Sequence, residues 1–286
     1  MMRKIYFTIL TLAFLWPVTT TNAQSAREIV ESSVVAMKSC KTLKGKIERS
    51  ERLKGEMEKA KMFFKVRFNP YSVYIYNYYP DEGSEVLFKK GWNNNKAHIH
   101  PNKFPFVNVN LKPTGDLLLK DRHHTIMDVG FVYTLNVVQF LLDERGDEFD
   151  KYVRKEKDVV YDGEPCWVIS IDYDEYGFED YTVQAGEDLI KIDQKLRVPA
   201  FKVLEINDGV KDYFDVKAGD VIKVPNIYAQ KVVLFVSKKN RLPIVQIIYD
   251  DNGLFEKYEY QGIEVNPPLK DAEFTPDWPD YEFKRD

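Results

Sequence analysis

The chain has 286 residues, of which 44% are hydrophobic and 30% are charged, and its net charge is −4. This hydrophobic content is ample for a globular core. The modest acidity argues against a nucleic-acid-binding protein, which needs a basic face.

The N-terminus has the pattern of a secretory signal peptide. Arg3 and Lys4 precede an apolar run, and small residues end the segment at Ala23. We therefore expect residues 1–23 to be a signal peptide, since the run is short for a membrane span. The mature protein is then exported to the periplasm or cell envelope and is not an integral membrane protein. In that oxidising compartment Cys40 and Cys166 either form one disulfide or remain two separate buried thiols.

The first part of the mature chain predicts a helix followed by a long antiparallel sheet. A helix is expected over 26–39, then strands over 45–53, 58–68, 71–79, 85–90 and 96–100. Turn residues such as Asn69-Pro70 separate several of them. A second helix is expected over 132–144, and strands 157–161 and 166–173 are joined by an Asp162-Gly163 hairpin turn.

Two of these strands carry apolar residues on both faces. Tyr74, Tyr76 and Tyr78 alternate with Val73 and Ile75, and a second row has the sequence Met62, Phe64, Val66, Phe68. Such strands either line a cavity for a lipid or belong to a sheet that is covered on both sides.

Residues 180–227 contain two near-copies of a strand signature, Tyr181–Gly186 and Phe214–Gly219. Between them, Leu189, Ile192 and Leu196 form the apolar stripe of a short helix. Pro199 opens a second helix, and a returning strand follows from Val221. The segment is predicted to be a strand–helix–helix–strand module.

This order of residues resembles the LysM domain, a small carbohydrate-binding module, over about 181–226. The matching positions are Tyr181, Val183, Gly186, Leu189, Ile192, Val198, Leu204, Asn207, Gly219, Ile222, Val224 and Pro225. The resemblance implies a shallow groove for a glycan that contains N-acetylglucosamine. Its two walls would be Gly186, Glu187, Asp188 and Leu189 on one side, and Ile206, Asn207, Asp208 and Gly209 on the other. The acidic Glu187-Asp188 turn departs from the usual Asp-Thr of that family.

The last part of the chain returns to strands, expected over 230–237, 244–249 and 255–265. The module therefore falls between two neighbouring strands of one sheet, as a guest inserted into a host domain. The predicted domains are a host of residues 24–179 and 228–286, and an inserted module of residues 180–227.

The host resembles the lipoprotein-carrier fold of LolA and LolB, and a related family of exported proteins of unknown function. The resemblance rests on residues 122–130, 242–244, 249–250, 269–274 and 279–281. It implies an α+β fold in which a curved antiparallel sheet, a LolA-like half-barrel, folds over helices around an apolar cavity. A LysM-like βααβ module would be inserted in it.

No catalytic motif is recognisable in the sequence, and we expect no enzyme activity and no cofactor. His98, His100, His123 and His124 lack the spacing of a metal site and are read as surface or packing residues. The acidic stretch 172–180 lacks the pattern of a calcium loop and is read as a solvated linker.

The sequence thus predicts a non-enzymatic envelope protein that binds peptidoglycan through the module, while its host domain can hold lipid or a partner. The alternative is a periplasmic carrier of lipid or lipoprotein, in which the module only contacts partners.

Overall fold

The computed structural model describes residues 24–104, 106–120 and 122–283, and the predicted signal peptide lies outside these residues. The helices of the described chain are α1 (Ala26–Ser39), α2 (Asp116–Leu119), α3 (Val132–Arg145), α4 (Leu189–Leu196) and α5 (Ala200–Ile206). Its strands are β1 (Thr42–Leu53), β2 (Glu56–Phe68), β3 (Tyr71–Tyr79), β4 (Glu85–Lys89), β5 (Ala97–His100), β6 (Val109–Leu111), β7 (Val153–Lys155), β8 (Val159–Tyr161), β9 (Glu164–Asp172), β10 (Phe178–Thr182), β11 (Val221–Pro225), β12 (Lys231–Ser237), β13 (Pro243–Asp250) and β14 (Gly253–Val265).

Twelve strands form one open, antiparallel sheet. Their order is β6-β5-β4-β3-β2-β1-β14-β13-β12-β9-β7, and β8 also pairs with β9. The sheet confirms the predicted mainly antiparallel α+β host. The short strands β6 and β7, at the two ends of this order, were not predicted.

Helix α1 begins where local chemistry favours it. The Ser25 hydroxyl accepts a hydrogen bond from the Glu28 backbone N–H (3.1 Å), and the Glu28 carboxylate accepts one from the Ser25 N–H (2.8 Å). This reciprocal capping satisfies two N–H groups that have no partner inside the helix. The buried face of α1 includes Ile29, Val30 and Met37, and the helix packs on α3.

Strand β3 is apolar on both faces because each face is covered. Val73 and Ile75 belong to the main core, between the sheet and the helices. Tyr74 points to the other side, where it stacks on Tyr281 with ring centroids 3.8 Å apart. We call residues 267–283 the C-terminal segment. The C-terminal segment covers the Tyr74 face of β3, which explains why that face of the strand is also apolar.

The inserted stretch lies between β9 and β12, which are hydrogen-bonded neighbours in the sheet. Within it, β10 pairs with β11 and the two short helices lie between them in the chain. We call residues 178–225 the two-helix unit. Its own core includes Val183, Leu189 and Val203.

The second near-copy, residues 214–219, is not a strand, contrary to the strand signature read from the sequence. What the copies share is a glycine in the left-handed region, with φ of +81° at Gly186 and +94° at Gly219. A hydrogen bond from the Gly219 N–H to the Val183 carbonyl (2.9 Å) joins the two segments that contain these glycines. Glycine adopts this backbone conformation without the steric cost that a Cβ adds.

The two cysteines are separate buried thiols, which is the second of the two alternatives. The Cys40 thiol lies 3.4 Å from the Ala36 carbonyl oxygen, and the Cys166 thiol lies 3.4 Å from that of Glu164. Burial raises the pKa of each thiol to about 11. No disulfide links them.

Candidate functional site

One residue of the predicted glycan site, Leu189, points into the core. Leu189 is fully buried in the core of the two-helix unit, so its side chain is not available to a sugar. The reason is its place on the apolar stripe of α4, which packs inward. Gly186 forms the exposed turn before the helix.

Three polar residues of that site already have partners within the unit. The Glu187 carboxylate accepts hydrogen bonds from Lys195 (2.8 Å), Tyr181 (2.7 Å) and the Gln184 N–H (2.9 Å). The hydrogen bond from Lys195, with that from Gln184, lowers the pKa of Glu187 to about 2.

Asp188 and Asn207 have structural roles of the same kind. The Asp188 carboxylate caps α4 by accepting from the Lys191 N–H at 2.8 Å. The Asn207 amide donates to the carbonyls of Val203 (2.6 Å) and Lys223 (2.8 Å), and its oxygen accepts from the Lys223 N–H. Of the second wall, Asp208 and Gly209 are exposed and Ile206 is half-buried.

A different site lies in the host, between the sheet and α3. It is a cavity of about 120 Å³ with mostly apolar walls. The apolar lining comes from several strands and from α3, and includes Ile47, Met62, Ile75, Val137, Val138, Leu141, Ile171, Val232, Leu234, Ile248 and Tyr260. Met62 and Ile75 lie on the two strands that the sequence singled out.

One end of the cavity is polar, and Glu256 lies at its centre. This fully buried carboxylate is 2.9 Å from His123 Nδ1 and 3.1 Å from His124 Nε2, and it accepts a hydrogen bond from the Tyr228 hydroxyl. Burial opposes its ionisation, but the charge of His124 and these hydrogen bonds hold the pKa of Glu256 well below its usual range. Although burial lowers the pKa of His124, the Glu256 charge raises it on balance.

Strand β1 supplies the rest of the polar end. It pairs with β14 so that Glu51 lies opposite Glu256 and Arg49 lies opposite Tyr258. Glu51 forms an ion pair with Arg49 and accepts a hydrogen bond from the Tyr258 hydroxyl at 2.6 Å. We call Arg49, Glu51, Arg122, His124, Glu256 and Tyr258 the polar end of the cavity.

An outer cleft of about 670 Å³ adjoins the cavity, between α3 and helix α4 of the two-helix unit. Cavity and cleft share His124, Thr125, Asp128 and Tyr133 as lining residues, so these side chains stand between the two spaces. Asp193 of α4 also lines the cleft and accepts a hydrogen bond from the Tyr133 hydroxyl at 3.0 Å. Burial raises the pKa of Asp193 to about 7.

Sequence reasoning did not single out Arg49, Glu51 or Glu256 as site residues. A signal was present, because Arg49 and Glu51 occupy alternate positions in phase with the apolar Ile47, and Glu256 and Tyr258 are in phase with Tyr260. Charged residues on the apolar face of a strand are expected to be buried and paired.

The four histidines fall into two separate environments. His98 and His100 contact Asn110 and Asn108, while His123 and His124 contact Glu256. In the described part of the chain, no group of three or more His, Cys, Asp or Glu residues is arranged to hold a metal ion. No helix within the described ranges is both long and apolar enough to span a membrane.

Comparison with known proteins gives one family match over most of the chain. The model described as "Protein of unknown function (DUF1571)" matches residues 41–204 and 205–283. The match therefore spans both the host and the two-helix unit.

Among solved structures, the chain is similar to the LolA superfamily protein from Nitrosomonas europaea, at 13% identity and a TM-score of 0.32, covering 88% of this chain and 98% of that one. It is similar to the Mycobacterium tuberculosis lipoprotein LppX, at 12% identity and a TM-score of 0.40, covering 86% and 97%. A structure of Pseudomonas aeruginosa MucA/MucB matches at 9% identity and a TM-score of 0.42, covering 87% and 60%. These similarities are too low to transfer a function.

Proposed function

We propose that this chain, which belongs to the DUF1571 family of proteins of unknown function, is an exported, non-enzymatic carrier that holds the acyl chain of a lipid or lipoprotein. The observation that carries this proposal is the cavity under α3, which combines apolar walls with a single polar end. That combination suits an amphiphile, because the tail is removed from water while the head group keeps polar partners.

The dimensions of the cavity limit what can enter it. An engineered apolar cavity of about 150 Å³ binds benzene, so 120 Å³ accommodates only a short aliphatic segment. A longer chain or a bulky head group has to extend into the adjoining outer cleft, past His124 and Tyr133.

The test is a pair of matched substitutions. Val138 is buried and lines the cavity, whereas Val35 on α1 is 66% exposed. Val138→Phe fills the cavity and Val35→Phe adds the same ring at the surface. We expect native mass spectrometry of gently extracted protein to show a lipid adduct for the wild type and Val35→Phe, and its loss in Val138→Phe.

Overpacking costs about 1–3 kcal/mol, so circular dichroism must first show that Val138→Phe is folded. A wild-type protein that carries no adduct and also binds no added amphiphile would overturn the proposal.

Binding of peptidoglycan through the two-helix unit is a second candidate. It is favoured by the LysM-like order of residues and by the exposed positions of Asp208 and Gly209. The internal roles of Leu189, Glu187 and Asn207 count against it. Sedimentation with purified peptidoglycan, comparing the wild type with Asp208→Trp, tests it. Co-sedimentation that Asp208→Trp abolishes would support glycan binding.

A further inference from the structure

At the polar end of the cavity, the carboxylate acceptors all have hydrogen-bond donors, but not every donor has an acceptor among the described residues. Both carboxylates have donors around them: Glu256 has two histidines and Tyr228, and Glu51 has Arg49 and Tyr258. The third acid of the lining, Asp128, accepts from both the N–H (2.9 Å) and the hydroxyl (2.6 Å) of Thr125. The acceptors of this end are thus occupied within the protein.

The donors are not all occupied. Arg49 Nε is buried, and none of the described residues accepts a hydrogen bond from it. A guanidinium carries five N–H donors, and the ion pair between Arg49 and Glu51 uses Nη1. A buried donor without an acceptor destabilises the protein, so this position favours a ligand that brings an oxygen.

The same end of the cavity also holds two guanidiniums beside its carboxylates. Arg49 and Arg122 both line the polar end, and His124 lies beside them. Burial, together with the charge of Arg122, lowers the pKa of Arg49 to about 10. A ligand anion near the two guanidiniums would relieve this repulsion, and the planar guanidinium matches carboxylate and phosphate oxygens in geometry.

We infer that the polar end binds the anionic head group, a carboxylate or a phosphate, of an amphiphile whose tail is held by the apolar cavity and the adjoining outer cleft. This inference rests on the proposed function and adds a head-group class to it. Arg49 supplies a donor that has no acceptor within the described residues, and Arg122 and His124 add charge from the loop that precedes α3.

Dodecanoate, dodecyl phosphate and 1-dodecanol are the probes, because they share one tail and differ in the head group. We expect isothermal titration calorimetry to show that the two anions bind the wild type at least tenfold more tightly than the alcohol does. Acetate and inorganic phosphate, without a tail, are expected to bind too weakly to detect.

The double variant Arg49→Met/Glu51→Gln removes the guanidinium without leaving a buried carboxylate unpaired. It is expected to lose the preference for the anions while keeping its affinity for 1-dodecanol. Arg154→Met, on the exposed Arg154 of β7, is the matched control and should behave as the wild type. Unchanged binding of 1-dodecanol also shows that the double variant is folded.

The outcomes separate the two proposals. If none of the three amphiphiles binds, the carrier function itself fails. If 1-dodecanol binds as tightly as dodecanoate, the carrier function stands and the anionic head group is wrong. If inorganic phosphate alone binds as tightly as dodecyl phosphate, the site takes a free anion and the inference is overturned.

Discussion

At the scale of single residues, Asp193 is a buried carboxylate of the two-helix unit. It lies on α4 but faces the host, where Tyr133 donates a hydrogen bond to it and burial raises its pKa to about 7. An aspartate in an unfolded chain titrates near pH 3.9. Because the pKa is higher in the folded state, the stability contributed by the protonated carboxyl is full below about pH 4 and is lost as the pH rises through about 7.

We therefore predict that Asp193→Asn weakens the pH dependence of stability. The amide oxygen can still accept from Tyr133, but it does not ionise. The wild type should lose about 2 kcal/mol more than the variant between pH 5 and pH 8, measured by urea unfolding at each pH. Asp208→Asn, on an exposed residue of the same unit, is the control.

Neighbouring groups do not alter the sign of this difference. The raised pKa of His124 also makes stability fall as the pH rises, and the lowered pKa of Glu256 matters only on acidification. Both groups are present in both proteins. If the free energy of unfolding of the wild type and of Asp193→Asn depends equally on pH, the raised pKa of Asp193 is wrong.

At the scale of elements, the C-terminal segment is what makes the outer face of β3 and β4 an interior surface. Phe274 is fully buried there, and the Arg67 guanidinium lies 4.9 Å from the centre of its ring. Lys65 forms an ion pair with Glu273 at 2.8 Å, and Lys89 forms one with Asp271 at 2.8 Å. Charged strand residues and an aromatic anchor thus hold the segment in place.

Removing the buried ring of Phe274 should destabilise the protein. Phe274→Ala is expected to lower the free energy of unfolding by about 3–5 kcal/mol, the usual range for deleting a buried ring. Phe104→Ala provides the control, since Phe104 is 89% exposed and its loss should cost well under 1 kcal/mol. Urea unfolding at neutral pH measures both, and similar small effects would mean that the segment is not packed on the sheet.

At the scale of the whole molecule, buried ion pairs join the two-helix unit to the host. Lys202 of α5 lies 2.9 Å from Asp250 and 2.8 Å from Asp251, at the turn between β13 and β14. Arg52 of β1 contacts both Asp250 and Glu205 of α5. The unit is therefore fixed on the host beside the outer cleft, and α4 forms part of the wall of that cleft.

This arrangement predicts that host and unit unfold together. Lys202→Met leaves Asp250 and Asp251 without one of their cations, and we expect a loss of about 3 kcal/mol, as for a broken buried ion pair. Lys191→Met, on the exposed side of α4, should cost less than 1 kcal/mol. One cooperative transition by both circular dichroism and tryptophan fluorescence is expected, and two separate transitions would contradict the coupling.

Local patterns were sufficient for most of the elements. Helix α1 has the bounds that its apolar stripe predicts, and β3 has those that its flanking turns predict. The short strands β6 and β7 were missed because three residues carry too little periodicity. Residues 214–219 were misread because a turn that ends in glycine can have the same residues as a strand that ends in glycine.

The sequence by itself determined the antiparallel host with its two main helices and the order of the two-helix unit, since periodicity and turn chemistry act between near neighbours. Only the tertiary structure decided which face of β3 lines the cavity and which lies under the C-terminal segment. It alone also brought Arg49 and Glu51 of β1 beside Tyr258 and Glu256 of β14. The physical reason is that strand register depends on contacts between distant parts of the chain, which no local pattern contains.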